Sequence, residues 1–422
     1  MKWKGLSMRL SYLLGPAALS LGLGAGLLPA LATPEYSLRA LIPVTASVDN
    51  TAGGTFKTFD ISYFDPLTSL DYVGDRSNAS VDVFSALTNT MVGRIGGGAP
   101  PLFSGQTSSF NTSGPDGVLV VNVPGQHQVW AGNGDSTLKG FSIPGYSQFA
   151  NVVTGPLAAN RVDEMAYDPL TNTIMAANNA ATPPFASLVN ASTGTIVKQV
   201  TFDGTSGTPN ATNGIEQPAY DSATHTFFVS VPQIGGSGPG GVAEVDPTTG
   251  AILHIYDFST FLGGSITACS PAGLVAGTGG QLLVGCGGST GSIILNPTAN
   301  GGNGSVKVIS QVTGSDEVTF DPTNNLYFLA ASNNPGGPVL GIINGLTDTW
   351  IGNIPTTPGD HSISVDPITG KVFMPFAANP LNTACVNGCI GVFAAPEPGS
   401  LPLMLSALAA LVGFGLLRDR RI

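Results

Sequence analysis

Apolar residues in the body of the chain occur in short runs rich in β-branched and aromatic side chains, separated by clusters of Gly, Pro, Asn and Asp. Such runs predict short strands joined by turns. Helical periodicity is absent outside the two terminal segments. The 57 Gly and 32 Pro are spread through the chain and do not form a linker. The pattern predicts an all-β body in one domain.

One short motif recurs five times. An aromatic or branched residue precedes Asp-Pro-x-Thr or a close variant, and a β-rich run follows; the copies lie at residues 63–68, 167–171, 220–224, 320–324 and 365–369. Asp and Pro suit the first two positions of a type I turn, so each copy predicts strand, tight turn, strand. Two weaker copies turn near Pro124 and Ala276.

The seven turns lie 45 to 58 residues apart, and most units contain a second hairpin pattern after the first. Four strands in each of seven units predict a seven-bladed β-propeller, whereas the repeats of a β-helix are shorter. Residues 72–95 resemble the YVTN repeat of seven-bladed surface and periplasmic propellers, with Gly74 and Asp75 where that family has Thr-Asn. The resemblance implies the same fold for the body.

The seventh unit has three strand patterns and lacks an outer strand. The branched run at residues 38–44 belongs to no other unit. It is therefore expected to pair with the strand that ends at Phe393 and to close the ring.

The N-terminus has the features of an export signal. Lys2, Lys4 and Arg9 precede an apolar stretch at residues 10–28, and Ala30 and Ala32 are small residues at the positions that signal peptidase reads. We predict a signal peptide helix at residues 1–32, cleaved after Ala32, and an exported propeller at residues 33–395.

The C-terminal residues 396–422 combine a short motif, an uncharged run at 401–417 and a basic end; the motif and end are Pro396, Glu397, Pro398, Arg418, Arg420 and Arg421. The run is long enough for a hydrophobic transmembrane helix, and the arginines favour a cytoplasmic end. The segment resembles the PEP-CTERM sorting signal of Gram-negative bacteria. That resemblance implies transient anchoring in the inner membrane, processing by exosortase, and a cell-surface or extracellular-matrix location. An ordinary single-pass anchor is the alternative.

The body is acidic. Of 15 Lys and Arg, three precede residue 33 and three follow residue 395, so the body contains 9. Of 26 Asp and Glu, two lie in the tail, so the body contains 24 and has a net charge of −15. This charge repels nucleic acid and anionic lipid and favours cations as partners.

Four cysteines fit an oxidising compartment. Cys385 and Cys389 flank a predicted tight hairpin, and Cys269 and Cys286 fall on the predicted first and second strands of the fifth unit. Adjacent strands bring Cα atoms within disulfide range, so we predict these two disulfides. Zinc is disfavoured because the two pairs belong to different units.

Acidic residues recur at the start of the innermost predicted strands, which in a propeller border one mouth of the central channel. The predicted metal ligands are Asp163, Glu164, Glu216, Asp316, Glu317 and His361. Crowded carboxylates raise each other's pKa or bind a cation such as Ca²⁺. Asp75, Asn133 and Asn178, at the ends of second strands, complete a resemblance in residue type to the calcium site of gluconolactonase-like and paraoxonase-like propellers. A solvated acidic rim that binds nothing is the alternative.

Two functions remain from different classes. Phosphate-binding loops, nucleophile elbows and zinc-helix motifs are absent, and the four histidines are scattered. The first hypothesis is a noncatalytic surface or matrix propeller that binds a polysaccharide, a protein or a cation. The second is a metal-dependent lactonase-like or lyase-like enzyme that uses the acidic mouth.

Overall fold

The computed structural model of the chain describes residues 35–155 and 160–396. Seven four-stranded antiparallel sheets follow one another, and the first strands of successive sheets contact each other in a closed circle. This is the predicted seven-bladed propeller.

Twenty-eight strands form the blades. Blade 1 contains β2 (Phe59–Asp65), β3 (Leu70–Asp75), β4 (Ser80–Ser85) and β5 (Thr90–Gly96). Blade 2 contains β6 (Val118–Val123), β7 (Gln126–Gly132), β8 (Thr137–Ile143) and β9 (Gln148–Val153). Blade 3 contains β10 (Met165–Asp168), β11 (Thr173–Asn178), β12 (Phe185–Asn190) and β13 (Thr195–Thr201).

The remaining blades have the same order from the channel outward. Blade 4 contains β14 (Pro218–Asp221), β15 (Thr226–Val231), β16 (Gly241–Val245) and β17 (Ile252–Asp257). Blade 5 contains β18 (Pro271–Ala276), β19 (Leu282–Cys286), β20 (Ser292–Asn296) and β21 (Ser305–Ile309). Blade 6 contains β22 (Val318–Asp321), β23 (Leu326–Ala331), β24 (Val339–Asn344) and β25 (Thr349–Pro355). Blade 7 contains β26 (Ser364–Val365), β27 (Val372–Phe376), β28 (Cys389–Ala394) and, outermost, β1 (Ser37–Pro43).

The sequence pattern predicts no helix in the body, and that prediction is wrong at four short connections. They are single turns or pairs of turns between strands, at Phe110–Thr112, Phe258–Gly264, Thr278–Gly280 and Ala299–Gly302. Segments this short have no periodic apolar face, so periodicity does not reveal them.

The Asp-Pro turns are four-residue loops and are longer than the tight turn that the motif predicts. In the first, Asp65 Oδ1 accepts the Leu67 amide at 3.0 Å and Thr68 Oγ1 donates to Oδ2. Ser69, the last loop residue, has φ 56° and donates its amide to the Asp65 carbonyl at 2.9 Å. Asp therefore caps its own loop, which explains why Asp and Thr recur together.

The hydrophobic core lies between neighbouring blades. For example, Phe228 and Val242 of blade 4 pack with Leu282 and Ile293 of blade 5. All four side chains are buried. The sheets pack face to face through these residues, which is why middle strands such as β4, β11, β15 and β23 are buried on both sides.

Ring closure occurs as predicted. β1 pairs antiparallel with β28, from Ser37 opposite Ala394 to Pro43 opposite Cys389. β27 lies second in its blade. We call the end where the innermost strands begin the mouth pole, and the end with the Asp-Pro loops the turn pole. Ser37 and Ala394 lie at the turn pole, because Phe393 pairs with Val372, directly after the last loop.

Both predicted disulfides are confirmed. Cys269 and Cys286 have Cα atoms 4.7 Å apart and form the blade 5 disulfide. Cys385 and Cys389, with Cα atoms 5.2 Å apart, form the blade 7 disulfide. Two disulfides are compatible with an exported protein.

The predicted signal peptide, residues 1–32, lies outside the described residues, and so does the predicted sorting signal apart from Pro396. In the described ranges, no helix has the length and apolar character needed to cross a membrane.

Candidate functional site: the acidic mouth

Five of the six predicted ligands line one cavity at the mouth pole. Its volume is about 200 Å³, and its acidic lining residues are Asp60, Asp163, Glu164, Glu216, Asp316 and Glu317. The common register explains the convergence, since every one of these residues lies at or just before the start of an innermost strand.

Backbone hydrogen bonds extend the sheet to these residues and hold them in place. The amide of Asp163 donates to the Ala177 carbonyl at 2.8 Å, and the Ala177 amide donates back to Glu164 at 3.0 Å. The same exchange joins Asp316 and Glu317 to Ala330. The carboxylates are therefore presented by paired backbone, which favours a preorganised site.

Three carboxylates form the densest group. One oxygen each from Asp163, Glu164 and Glu216 lies within 4.8 Å of the other two. Hard cations such as Ca²⁺ take several oxygen ligands of this type. We call these three residues the carboxylate triad.

Glu164 and Glu317 both line the mouth cavity, and both are buried. Gln217 Nε2 donates to Glu317 at 3.0 Å, but no donor from the described residues reaches the buried Oε2 of Glu164. Burial, reinforced by the neighbouring acids, raises the pKa of both glutamates well above the usual range. A proton on either carboxyl, or a bound cation, would relieve this repulsion.

Two arginines neutralise part of the mouth, and the sequence analysis did not identify them. Arg161 Nη2 lies 2.5 Å from Asp163 Oδ2 and its Nη1 lies 3.6 Å from Asp60. Arg76 contacts Asp60 and places Nε 2.6 Å from Asp116. Burial alone would raise the pKa of Asp60, but the two guanidinium groups hold it below the usual range.

His361, the sixth predicted ligand, is engaged elsewhere. Its ring stacks on Phe59 with centroids 4.9 Å apart. Nδ1 lies 2.7 Å from the Gly359 carbonyl and Nε2 lies 3.5 Å from Asp60. Burial opposes protonation, but the contacts with Asp60 and Asp316 raise the pKa of His361. The structure therefore gives His361 a role in the charge network and no place in the carboxylate triad.

The three residues that complete the resemblance to a calcium site are also engaged in hydrogen bonds outside the mouth cavity. Asp75 accepts the Asn78 amide at 3.0 Å, Asn133 Oδ1 accepts the Ser104 amide at 2.9 Å, and Asn178 Nδ2 donates to the Arg161 carbonyl at 3.3 Å. None of the three lines the mouth cavity. They stabilise the loops around it.

The mouth contains more carboxyl groups than its arginines can neutralise. Burial and the nearby Asp316 raise the pKa of Glu216 to about 7, despite the opposing charge of Arg161. Burial likewise raises the pKa of Asp116 to about 7. Some of these carboxyls must hold protons at neutral pH, or a cation must replace those protons.

A larger groove adjoins the mouth. It has a volume of about 830 Å³ and shares Arg161, Glu216 and Asn213 with the mouth cavity. Its wall includes the amide side chains of Asn111 and Asn210. Such a groove is large enough for a small organic molecule or a sugar residue.

Comparison with known proteins establishes the fold alone. No protein-family model and no curated protein sequence matches the chain. Solved structures with a similar fold are numerous, 1533 chains in all, so the fold does not indicate one function. One of them is a chain of the Kuenenia stuttgartiensis hydrazine synthase, with a TM-score of 0.58 and 13% identity over 80% of this chain and 97% of that chain.

Proposed function

We propose that the chain is an exported, noncatalytic propeller of the cell surface or extracellular matrix that binds a divalent cation at its acidic mouth. Export, exosortase processing and the final location come from the terminal segments and their resemblance to the PEP-CTERM signal. Ca²⁺ is the expected cation, because every candidate ligand is an oxygen atom.

The observation that carries the proposal is the carboxylate triad, one member of which has a carboxylate oxygen without a hydrogen-bond partner among the described residues. Asp163, Glu164 and Glu216 offer oxygens within 4.8 Å of one another. Oε2 of Glu164 is buried, and no donor from the described residues reaches it. Buried charges are normally paired or coordinated to a metal, so the geometry favours a cation at this position.

The size of the cavity favours binding over catalysis. Its volume of about 200 Å³ suits an ion and its waters better than an organic substrate. Arg161 competes with a cation for Asp163, so a cation here would be bound less tightly than by carboxylates alone. His361 is held by Gly359 and Asp60, so it is poorly placed to act as a general base.

Thermal unfolding of the purified body tests the cation. With calcium at about 100 times Kd, binding adds about 2.7 kcal/mol, and the melting temperature of a body of this size should rise by about 3–4 °C above that in chelator. Glu164→Gln should abolish the rise. Glu35→Gln, at an exposed position far from the mouth, should retain it. Identical melting curves in calcium and chelator, together with no metal by elemental analysis, would refute the proposal.

A second candidate is the metal-dependent hydrolase, and the adjoining groove is the feature that favours it. A substrate in that groove would contact Arg161 and Glu216 at the edge of the mouth. Turnover of a lactone panel that requires calcium and disappears in Glu164→Gln would support the enzyme. Calcium binding without turnover would support the binding protein.

A further inference from the structure

The centre of the propeller contains a second cavity, distinct from the mouth. It has a volume of about 560 Å³ and extends from the turn pole to Glu164 and Gln217. Glu164 lines both this cavity and the mouth cavity. We call it the tunnel. Its volume falls within the range of sites that bind small molecules.

The inner part of the tunnel is apolar. Its walls there include apolar residues within the innermost strands or, for Ile363, directly before one: Ile61, Val118, Met165, Leu274, Val318 and Ile363. These side chains come from six different blades, so the wall is a fixed part of the ring. Such a wall favours apolar parts of a ligand.

The outer part of the tunnel is aromatic and opens through an apolar rim. Tyr63, Tyr167, Tyr220 and Phe320 line it, followed by the loop prolines Pro66, Pro169, Pro322 and Pro367. The next loop residues are exposed aliphatic side chains: Leu67 is 64% exposed, Leu170 66% and Ile368 68%. Exposed aliphatic side chains thus follow three of the prolines that line the tunnel, and they offer apolar contacts to a molecule that enters there.

The inner end of the tunnel has the opposite character. Glu164 and Gln217 lie there, and Gln217 donates to Glu317 of the mouth at 3.0 Å. The mouth behind them carries more carboxyls than its two arginines neutralise. A ligand that reaches this end is therefore expected to carry a positive charge.

We propose that the tunnel binds an elongated apolar molecule with a primary ammonium head, which enters from the turn pole with the head first. The alkyl body contacts the aromatic and aliphatic walls, and the ammonium donates to a carboxylate oxygen of Glu164. The chemistry of the two ends sets the orientation, because the reverse orientation would place apolar carbon against Glu164 and Glu317.

Ca²⁺ and an ammonium group would compete for Glu164, so calorimetric titration with n-alkylamines from hexylamine to decylamine, carried out in chelator, tests the proposal. Each added methylene that enters the tunnel should strengthen binding about four-fold. Fatty carboxylates of the same lengths should bind more weakly than the amines, because their head groups are repelled. Affinity that does not depend on chain length, or equal affinity for carboxylates and amines, would overturn the proposal.

Two blocking variants and one control variant locate the binding. Thr319 lines the tunnel and is partly exposed, so Thr319→Phe should fill the tunnel and abolish amine binding. Thr349→Phe, on the exposed outermost strand of the same blade, should bind amines like the parent. Ala276→Phe, at another point of the tunnel wall, provides a second blocking variant if Thr319→Phe misfolds. Amine binding that survives both blocking variants would refute the tunnel. The melting shift with calcium is measured separately, so failure here leaves the cation proposal intact.

Discussion

A fully buried carboxyl group in blade 1 predicts a pH dependence of stability. Asp71 on β3 has 0% of its surface exposed. Ser364 Oγ donates to its Oδ1 at 2.6 Å, and Oδ2 has no partner among the described residues. Burial raises the pKa of Asp71 to about 8, and the bond from Ser364 opposes the shift only partly. Asp71 is therefore protonated in the folded protein at neutral pH.

The magnitude follows from the two pKa values. In the unfolded chain Asp71 has a pKa near 3.9. Between about pH 4 and pH 8 the folded state thus holds one proton more than the unfolded state, so stability falls by about 1.4 kcal/mol for each unit that the pH rises. From pH 5 to pH 7 this amounts to about 2.7 kcal/mol. For a body of this size the loss corresponds to about 3–4 °C in melting temperature.

Asp71→Asn removes the titration and keeps a group that can bond to Ser364. The variant should melt above the parent at pH 7, and the difference between the two should grow by about 3–4 °C from pH 5 to pH 7. Glu35→Gln, which also replaces a carboxyl by an amide, should follow the parent across this range because its side chain is exposed. Parallel melting profiles for Asp71→Asn and the parent would show that the reasoning is wrong.

Three further predictions concern charge, disulfides and sorting. Arg161→Gln removes a positive charge beside Asp60 and Asp163, so in chelator it should lower the free energy of unfolding by about 3–5 kcal/mol. The rise in melting temperature with calcium should become larger in this variant. An unchanged rise would contradict competition between Arg161 and the cation. Replacing both cysteines of a disulfide by serine should lower the free energy of unfolding, measured in urea, because the unfolded chain gains the freedom of an open loop. The loss should be about 3 kcal/mol for the blade 5 disulfide, with a sequence separation of 17, and about 2 kcal/mol for the blade 7 disulfide, with a separation of 4. A larger loss for the blade 7 disulfide would contradict this dependence on loop length. Glu397→Gln, or deletion of residues 418–421, should leave the chain unprocessed in a host with exosortase, and normal processing of both would indicate a plain anchor.

The repeat pattern predicts most of the fold because each blade repeats the same local chemistry. Asp65 and its four equivalents mark the ends of five of the seven innermost strands, so the register of the acidic residues at the other end follows by counting. The count correctly brings Asp163, Glu216 and Asp316 into one cavity. Ring closure is also predictable, because the seventh unit lacks an outer strand and the branched run at residues 38–44 belongs to no other unit.

The charge balance of the mouth does not follow from the repeats. Arg76 lies after a second strand, Asp116 in a connection between blades, and Arg161 two residues before Asp163, so the three occupy no common register. Their convergence depends on how irregular loops fold back over the mouth, and that has no periodic signal. The one sequence signal is the low number of basic residues, 9 in the whole body, which makes each a candidate partner for the clustered carboxylates.

The pairing of β1 with β28 ties folding to synthesis of the whole body. β1 is the first strand to be made, yet its partner begins at Cys389 and is the last. Until that partner emerges, β1 has an unpaired edge, and the ring lacks its final blade. Closing so long a loop is slow compared with forming any single blade, so closure is expected to be the late step of folding. A chain that ends before Cys389 would expose both β1 and β27 to other chains, which makes such fragments prone to aggregation. The residues just beyond β28 thus emerge when the ring is first able to close, and an enzyme that acts on them would meet chains whose body is complete.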